Sequence, residues 1–330
     1  MSSFLAKHWF LGVVALGVGS SFLFPSSMHV VTDFWEPRRT IAVSLFLMAW
    51  TMPTHSLVAE FRQPFASLWA VILSYGLAPG MAWLLGTIAP IDDVQIGLIL
   101  VASVPCTLSS AILWTRMAGG NEATALMTVM GTTFSSWFLT TALLFWLTGA
   151  SIEFDVGAMM LDLVLSLIIP VLVGQALRLI PFFVRIADRH IVAIGVVSQV
   201  FVVAIILKAG VTVGDKLHAE GAWNAPLILV WSVALAVTLH LIALAGGFFT
   251  CRWLGFDRGR QIAVAFSSSQ KTLQVSLVLY DQYFSTRFPF AVMPLLFYHV
   301  GQLLLDTLIA KQMARAGSRC QESGTPTPPL

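Results

Sequence analysis

A chain of 330 residues that is 57% hydrophobic and only 10% charged, with a mean hydropathy of +0.85, is not a soluble domain, because soluble chains carry roughly 25% charged residues. Its 18 Lys and Arg against 16 Asp and Glu leave a net charge of +2, too mild for a nucleic-acid partner, so the basic residues read as membrane topology. The three cysteines, Cys106, Cys251 and Cys320, have neither pairing nor metal-ligand spacing, and no haem, flavin, nucleotide or metal motif is present.

Apolar segments of about 20 residues, the length that crosses a bilayer, number ten. They fall at 8–28, 40–59, 64–89, 94–115, 123–148, 157–177, 190–211, 224–250, 261–280 and 289–310. The first is long enough to span and stay, unlike a cleaved leader. The second and third are joined tightly through "EFRQP". The polar stretch "GASIEFD" follows the fifth, and the Pro-rich tail ends in "QESGTPTPPL". With ten spans, one face receives twelve basic residues, among them Lys7, Arg62, Arg116 and Lys311. The other receives Arg38, Arg39, Lys208, Lys216 and Arg287. The asymmetry places both termini in the cytoplasm, in a plasma (inner) membrane.

Five plus five spans make two halves that enter from opposite sides, the inverted-repeat plan of secondary transporters. The expected division is 1–148 and 157–312 for the repeats, 149–156 for an extracytoplasmic hinge and 313–330 for a disordered cytoplasmic tail. The fold class is all-α and polytopic, with helices four and nine broken and crossing at the midplane. Span four carries Val104-Pro105 at its centre, followed by Thr107, Ser109 and Ser110. Span nine carries Ser267, Ser268, Ser269, Gln270, Lys271 and Thr272 at its centre. Proline removes a backbone donor, and Ser and Thr offer the backbone other partners. Unwound backbone at that depth survives only in protein or beside a wet cavity.

Lys271 is the unusual residue. It stands roughly 15 Å of helix from the nearest charge on either side, where a lysine costs about 2.5–3.5 kcal/mol to insert. Further candidates for substrate or ion binding are Ser74, Thr124, Thr128 and His299 in the spans and Asn121 in the turn before span five. The threonines at 124, 128 and 132 form a stripe on span five, and backbone bonding accounts for such a stripe as readily as ligand binding does. His240 reads as structural. Asp306 shares a face with His299 but lies one turn from Lys311, where water is expected to reach it.

These residues carry a resemblance. "FLMAWTMPTHSLVAEFRQPFASLWAVILSYGLAP" and "VASVPCTLSSAILWTRMAGGNEATAL" resemble spans two to five of the bile acid:sodium symporter superfamily. The pattern "VPCTLSSA…GGNEA" with a lysine in the ninth-span break is similar to its SBF-like branch, kin of sodium/bile acid cotransporter 7. The resemblance implies ten spans with crossed, broken fourth and ninth helices. It also implies two sodium sites in sodium-dependent members, but those positions here read Ser110-Ala111, Ser74 and Phe266. The span-five positions fall at Ala125 and Val129, or at Thr124 and Thr128 with a one-residue slip. Gln270 alone survives, and Lys271 replaces an asparagine.

The expected function is a secondary transporter of a small organic anion working by alternating access. It would be sodium-independent, with Lys271 filling the cation position and bonding Thr107, Ser109, Ser110 and freed carbonyls. The substrate and ion set is Thr107, Ser109, Ser110, Ser268, Ser269, Gln270, Lys271 and Thr272, with Pro105 as the helix break and no metal or cofactor. Lys271 either keeps its proton and binds the anion directly, or loses and regains it in each cycle; a third reading makes it a structural pin. The alternatives are a sodium- or proton-coupled symporter or exchanger, and a non-transporting membrane regulator. Exchange would require a carboxylate at the crossing point, and none is expected there. Partners are the organic anion, with Na+ or H+ left open, and the lipid bilayer, with no nucleic acid. No GxSxG or HExxH motif suggests an enzyme.

Overall fold

The computed structural model describes residues 16–17, 19–52, 60, 64–149, 155–219 and 225–322. Most of the expected hinge, the end of the tail and the start of the first apolar segment lie outside them. The described residues are helical, with no strand among them. In chain order the helices are α1 (Pro25–Thr32), α2 (Pro37–Thr51), α3 (Phe65–Gly86), α4 (Asp92–Ser103), α5 (Ser110–Met117), α6 (Glu122–Thr148) and α7 (Val156–Leu177). They continue as α8 (Pro181–Arg189), α9 (Ile191–Ala219), α10 (Ala225–Trp253), α11 (Arg258–Ser269), α12 (Leu273–Leu279) and α13 (Val292–Glu322).

Local chemistry sets several boundaries. Glu36 caps α2 by accepting from the N–H groups of Arg38 and Arg39, with Pro37 in the first turn, where its missing N–H costs nothing. Asn121 caps α6 by accepting from Ala123 and Thr124, and Gly149 ends that helix at φ 67°. Asp257 caps α11. Among the described residues, five helical stretches are long and apolar enough to cross a membrane: Phe65–Gly86, Val156–Leu177, Ile191–Asp215, Pro226–Trp253 and Pro289–Ala316. The fourth and ninth apolar segments do not form continuous helices. Each divides into two, α4 with α5 and α11 with α12, around non-helical residues at 104–109 and 270–272. Helix α13 continues to Glu322, into the stretch expected to be disordered.

Two groups of helices pack together. In one, α2 lies against α7 and α9, and α1 against α9. In the other, α3, α4, α5, α6, α10, α11 and α13 surround the two breaks. Small residues permit close approach: a Cβ on Gly174 of α7 would stand 2.8 Å from the Phe46 carbonyl oxygen of α2, and one on Gly97 of α4 would collide with the Ala291 carbonyl. The groups meet through polar contacts. Gln274 of α12 donates to Ser44 Oγ of α2 at 2.9 Å, and Ser44 Oγ lies 2.9 Å from Ser198 Oγ of α9.

Candidate functional site

Helix α4 ends where Val104 turns extended (φ −83°, ψ 160°) and Pro105 follows. Its freed carbonyls need donors, since orphaned backbone groups in a buried site cost free energy. Thr140 Oγ1 of α6 donates to Ser103 O at 2.8 Å. Thr272 serves two more carbonyls: its N–H bonds Pro105 O at 3.0 Å, and its hydroxyl lies 3.0 Å from Pro105 O and 2.8 Å from Cys106 O. Cys106 N–H donates to Thr132 Oγ1 at 3.3 Å. The two breaks are thus bonded to each other, and one threonine of the stripe supports them.

The second break is held from α13. Gln302 Oε1 accepts from Lys271 N–H at 3.0 Å, and Gln302 Nε2 donates to Lys271 C=O at 3.1 Å. Tyr298 Oη donates to Ser269 O at 2.7 Å. His299 Nδ1 lies 3.0 Å from Gln302 Nε2, so His299 orients the residue that clamps Lys271.

Lys271 is wholly buried. Its ammonium donates to Ser74 O at 2.7 Å, Ser74 Oγ at 2.8 Å and Val104 O at 3.2 Å, and lies 5.5 Å from the centroid of the Tyr75 ring. The availability of Ser74 O follows from the sequence of α3. Over Leu73–Leu77 the helix widens to a π turn, and Ala78 N–H bonds Leu73 O. The next residue, Pro79, has no N–H, so the helix offers Ser74 O no donor and the lysine supplies one. An ammonium has three protons, and all three have acceptors here. Direct donation from Lys271 to an anion is therefore not the arrangement in this conformation.

The expected bonds from Lys271 to Thr107, Ser109 and Ser110 are not formed. Thr107 Oγ1 and Ser110 Oγ lie 2.6 Å apart and 3.1 and 2.8 Å from Gln270 Oε1, so their two hydroxyl protons serve the three contacts between them. Consecutive residues of extended backbone point to opposite sides, so Gln270 faces these hydroxyls while Lys271 faces α3. Ser109 is exposed. Ser268 and Ser269 bond carbonyls of their own helix. Thr128 Oγ1 does likewise, to Thr124 O at 2.9 Å. Thr124 Oγ1 donates to the buried Glu60 at 2.9 Å, as does Ser67 Oγ at 3.0 Å, and Asn121 caps α6 away from the breaks.

The expectation that no carboxylate lies at the crossing point is corrected. Gln270 Nε2 donates to Asp306 Oδ2, and Asp306 Oδ1 lies 2.8 Å from His240 Nε2 of α10. All three side chains are wholly buried. Asp306 looked accessible because the apolar stretch ends near residue 310. The helix does not end there: it runs to Glu322, leaving Asp306 near its middle and against the break. Gln302 and Tyr75 were missed as site residues, and Asp306 was held only as a lesser candidate on the face of His299. The signal for Gln302 and Asp306 was the spacing of His299, Gln302 and Asp306, three and four residues apart on one helical face.

Among the described residues no group of three His, Cys, Asp or Glu could hold a metal ion. The model of the SBF-like CPA transporter family matches residues 8–315. Similar proteins include sodium/bile acid cotransporter 7 of Mus musculus, 24% identical over 92% of this chain and 91% of its own length. The Danio rerio protein of the same name is 24% identical over 97% of both chains. Protein PA2026 of Pseudomonas aeruginosa is 27% identical over 94% of both. With its apolar helices and two bonded helix breaks, the chain is a multi-pass membrane transporter and not an enzyme, and it belongs to the SBF-like CPA transporter family.

Proposed function

We propose that the protein is a secondary transporter that moves a small organic anion by alternating access, without sodium, and that Lys271 occupies the position a coupling cation would take. The observation that carries this reading is the acceptor cage around the ammonium: two backbone carbonyls freed by helix irregularities and one serine hydroxyl. Carbonyl and hydroxyl oxygens at broken helices are what sodium seeks in such transporters, and here a tethered cation has them. The names of the cotransporter relatives support an organic anion as substrate. The packing of α2 against α7 and α9, and of α3, α4, α5, α6, α10, α11 and α13 around the breaks, supports ten spans in two inverted halves. The basic-residue asymmetry supports cytoplasmic termini in an inner membrane.

The test is a sodium titration of thermal stability at fixed ionic strength on the reconstituted protein. A ligand of the folded state stabilises it by mass action, about 1.4 kcal/mol at ten times its dissociation constant. Wild type is expected to ignore sodium, and Lys271→Asn to be stabilised by it. Sodium stabilisation of wild type would sink the reading. Uptake of radiolabelled taurocholate and of smaller sulfonates and carboxylates into proteoliposomes tests the substrate class.

A further inference from the structure

A line of buried polar groups extends from the fourth-helix break through the ninth to α10. The Ser110 and Thr107 hydroxyls meet Gln270 Oε1, Gln270 donates to Asp306, and Asp306 pairs with His240. Gln270 has both ends of its amide engaged, so it transmits the state of the carboxylate to the break. His240 Nδ1 is buried without a hydrogen-bond partner among the described residues, although buried ring nitrogens are ordinarily paired. It is an acceptor facing away from the carboxylate that holds the other ring nitrogen.

We propose that His240 and Asp306 form a proton-binding site, and that its occupancy decides whether the buried charge of Lys271 is balanced internally or available to an anion. With the pair singly negative, Asp306 and Lys271 cancel, and an anion entering between the breaks meets a neutral core. A proton taken up at His240 Nδ1 lets the Nε2 proton pass to Asp306 Oδ1. The pair is then neutral, and the core carries the one positive charge of Lys271. Burying an unbalanced charge is costly, and an anion supplies the balance. Proton and anion binding are therefore mutually favourable, and a monovalent anion moves with one proton and no net charge. The ammonium attracts the anion by its field, since its three donors are engaged.

The surroundings contain few competing charges. Tyr298 stands edge-on to the His240 ring, with centroids 5.5 Å apart and planes at 87°. Cys106 lies within electrostatic range of both Lys271 and Asp306, His299 bonds Gln302, and Tyr75 faces Lys271. The charged residues of the packed helices α4, α5 and α11 are Asp92, Asp93, Arg116, Arg258 and Arg260, all toward the ends remote from the breaks. Lys311 of α13 is exposed.

The coupling rests on the anion-transport reading; the proton site does not. Infrared difference spectroscopy of the reconstituted full chain, titrated with acid, reads carboxylic-acid formation directly and needs no variant to show the event. The expected result is a carboxylic-acid band in wild type that is displaced in midpoint by His240→Gln and absent in Asp306→Asn. Lys271→Met leaves the pair's own atoms intact and removes the buried positive charge that opposes its protonation, so the band forms at higher pH than in wild type. A wild-type band absent throughout, or indifferent to His240→Gln and Lys271→Met, overturns the proposal. Anion uptake without titration of the pair overturns this inference alone. Titration without uptake of any tested anion upholds the proton site and overturns the transport reading.

Discussion

Gln302 bonds both backbone polar groups of Lys271, the N–H at 3.0 Å and the C=O at 3.1 Å. One side-chain amide thereby takes the place of the helical partners that the break removes, and it holds the lysine's Cα where the side chain can reach across to Ser74. A leucine of similar volume would orphan both groups. Gln302→Leu is expected to cost about 2–4 kcal/mol, one desolvated group at each end, read as a lower Tm in detergent. A Tm equal to wild type would show that the break finds other partners.

Pro79 and Lys271 are predicted to be energetically coupled through Ser74 O. Pro79→Ala restores an N–H that can compete for Ser74 O, so part of the lysine's cage is lost. In a double-mutant cycle with Lys271→Met, the two changes should be non-additive by about 1 kcal/mol. Additive effects on stability would mean that the π turn, not the proline, frees the carbonyl.

Asp162 joins the two helix groups. Its Oδ1 pairs with Arg38 Nη2 of the α2 group at 2.7 Å, and its Oδ2 accepts from Tyr283 Oη, just past α12, at 2.6 Å. The pair is partly exposed, so its contribution to overall stability is about 0–1 kcal/mol. The local effect is larger. Asp162→Ala should speed hydrogen exchange in the amides of Tyr280–Phe284 with little change in Tm. Unchanged exchange there would show that the contact does not restrain the groups.

A pH effect is expected at His29, past the end of the first apolar segment. Asp33 and Asp215, hydrogen-bonded to the two ring nitrogens, raise its pKa above the ordinary 6.5. A raised folded-state value stabilises the fold fully below the unfolded pKa, and the contribution disappears as pH climbs through the folded one. The Tm difference between wild type and His29→Gln should therefore be greatest below about pH 6.5 and shrink as pH rises further. A difference that grows with pH would contradict the assignment.

Much of the architecture is local and therefore readable in the chain. Apolar length marks the spans, and Val104-Pro105 and the Ser/Thr run before Gln270 mark the breaks. Each depends on backbone and side-chain chemistry within a few residues. The character of the membrane protein and the singular position of Lys271 follow from composition and spacing in the same way.

The partners of Lys271 and the location of Asp306 were decided only by tertiary structure. Which side of an extended break a residue faces depends on register, so Gln270, and not Lys271, met Ser110 and Thr107. Where a helix ends in space is not where its apolar run ends, so Asp306 lay in the core and not in water. Pairings such as Lys271 with Ser74 and Asp306 with His240 join residues 197 and 66 positions apart. A buried charge must find its complement somewhere, but the sequence pattern states only the need, and three-dimensional packing selects the partner.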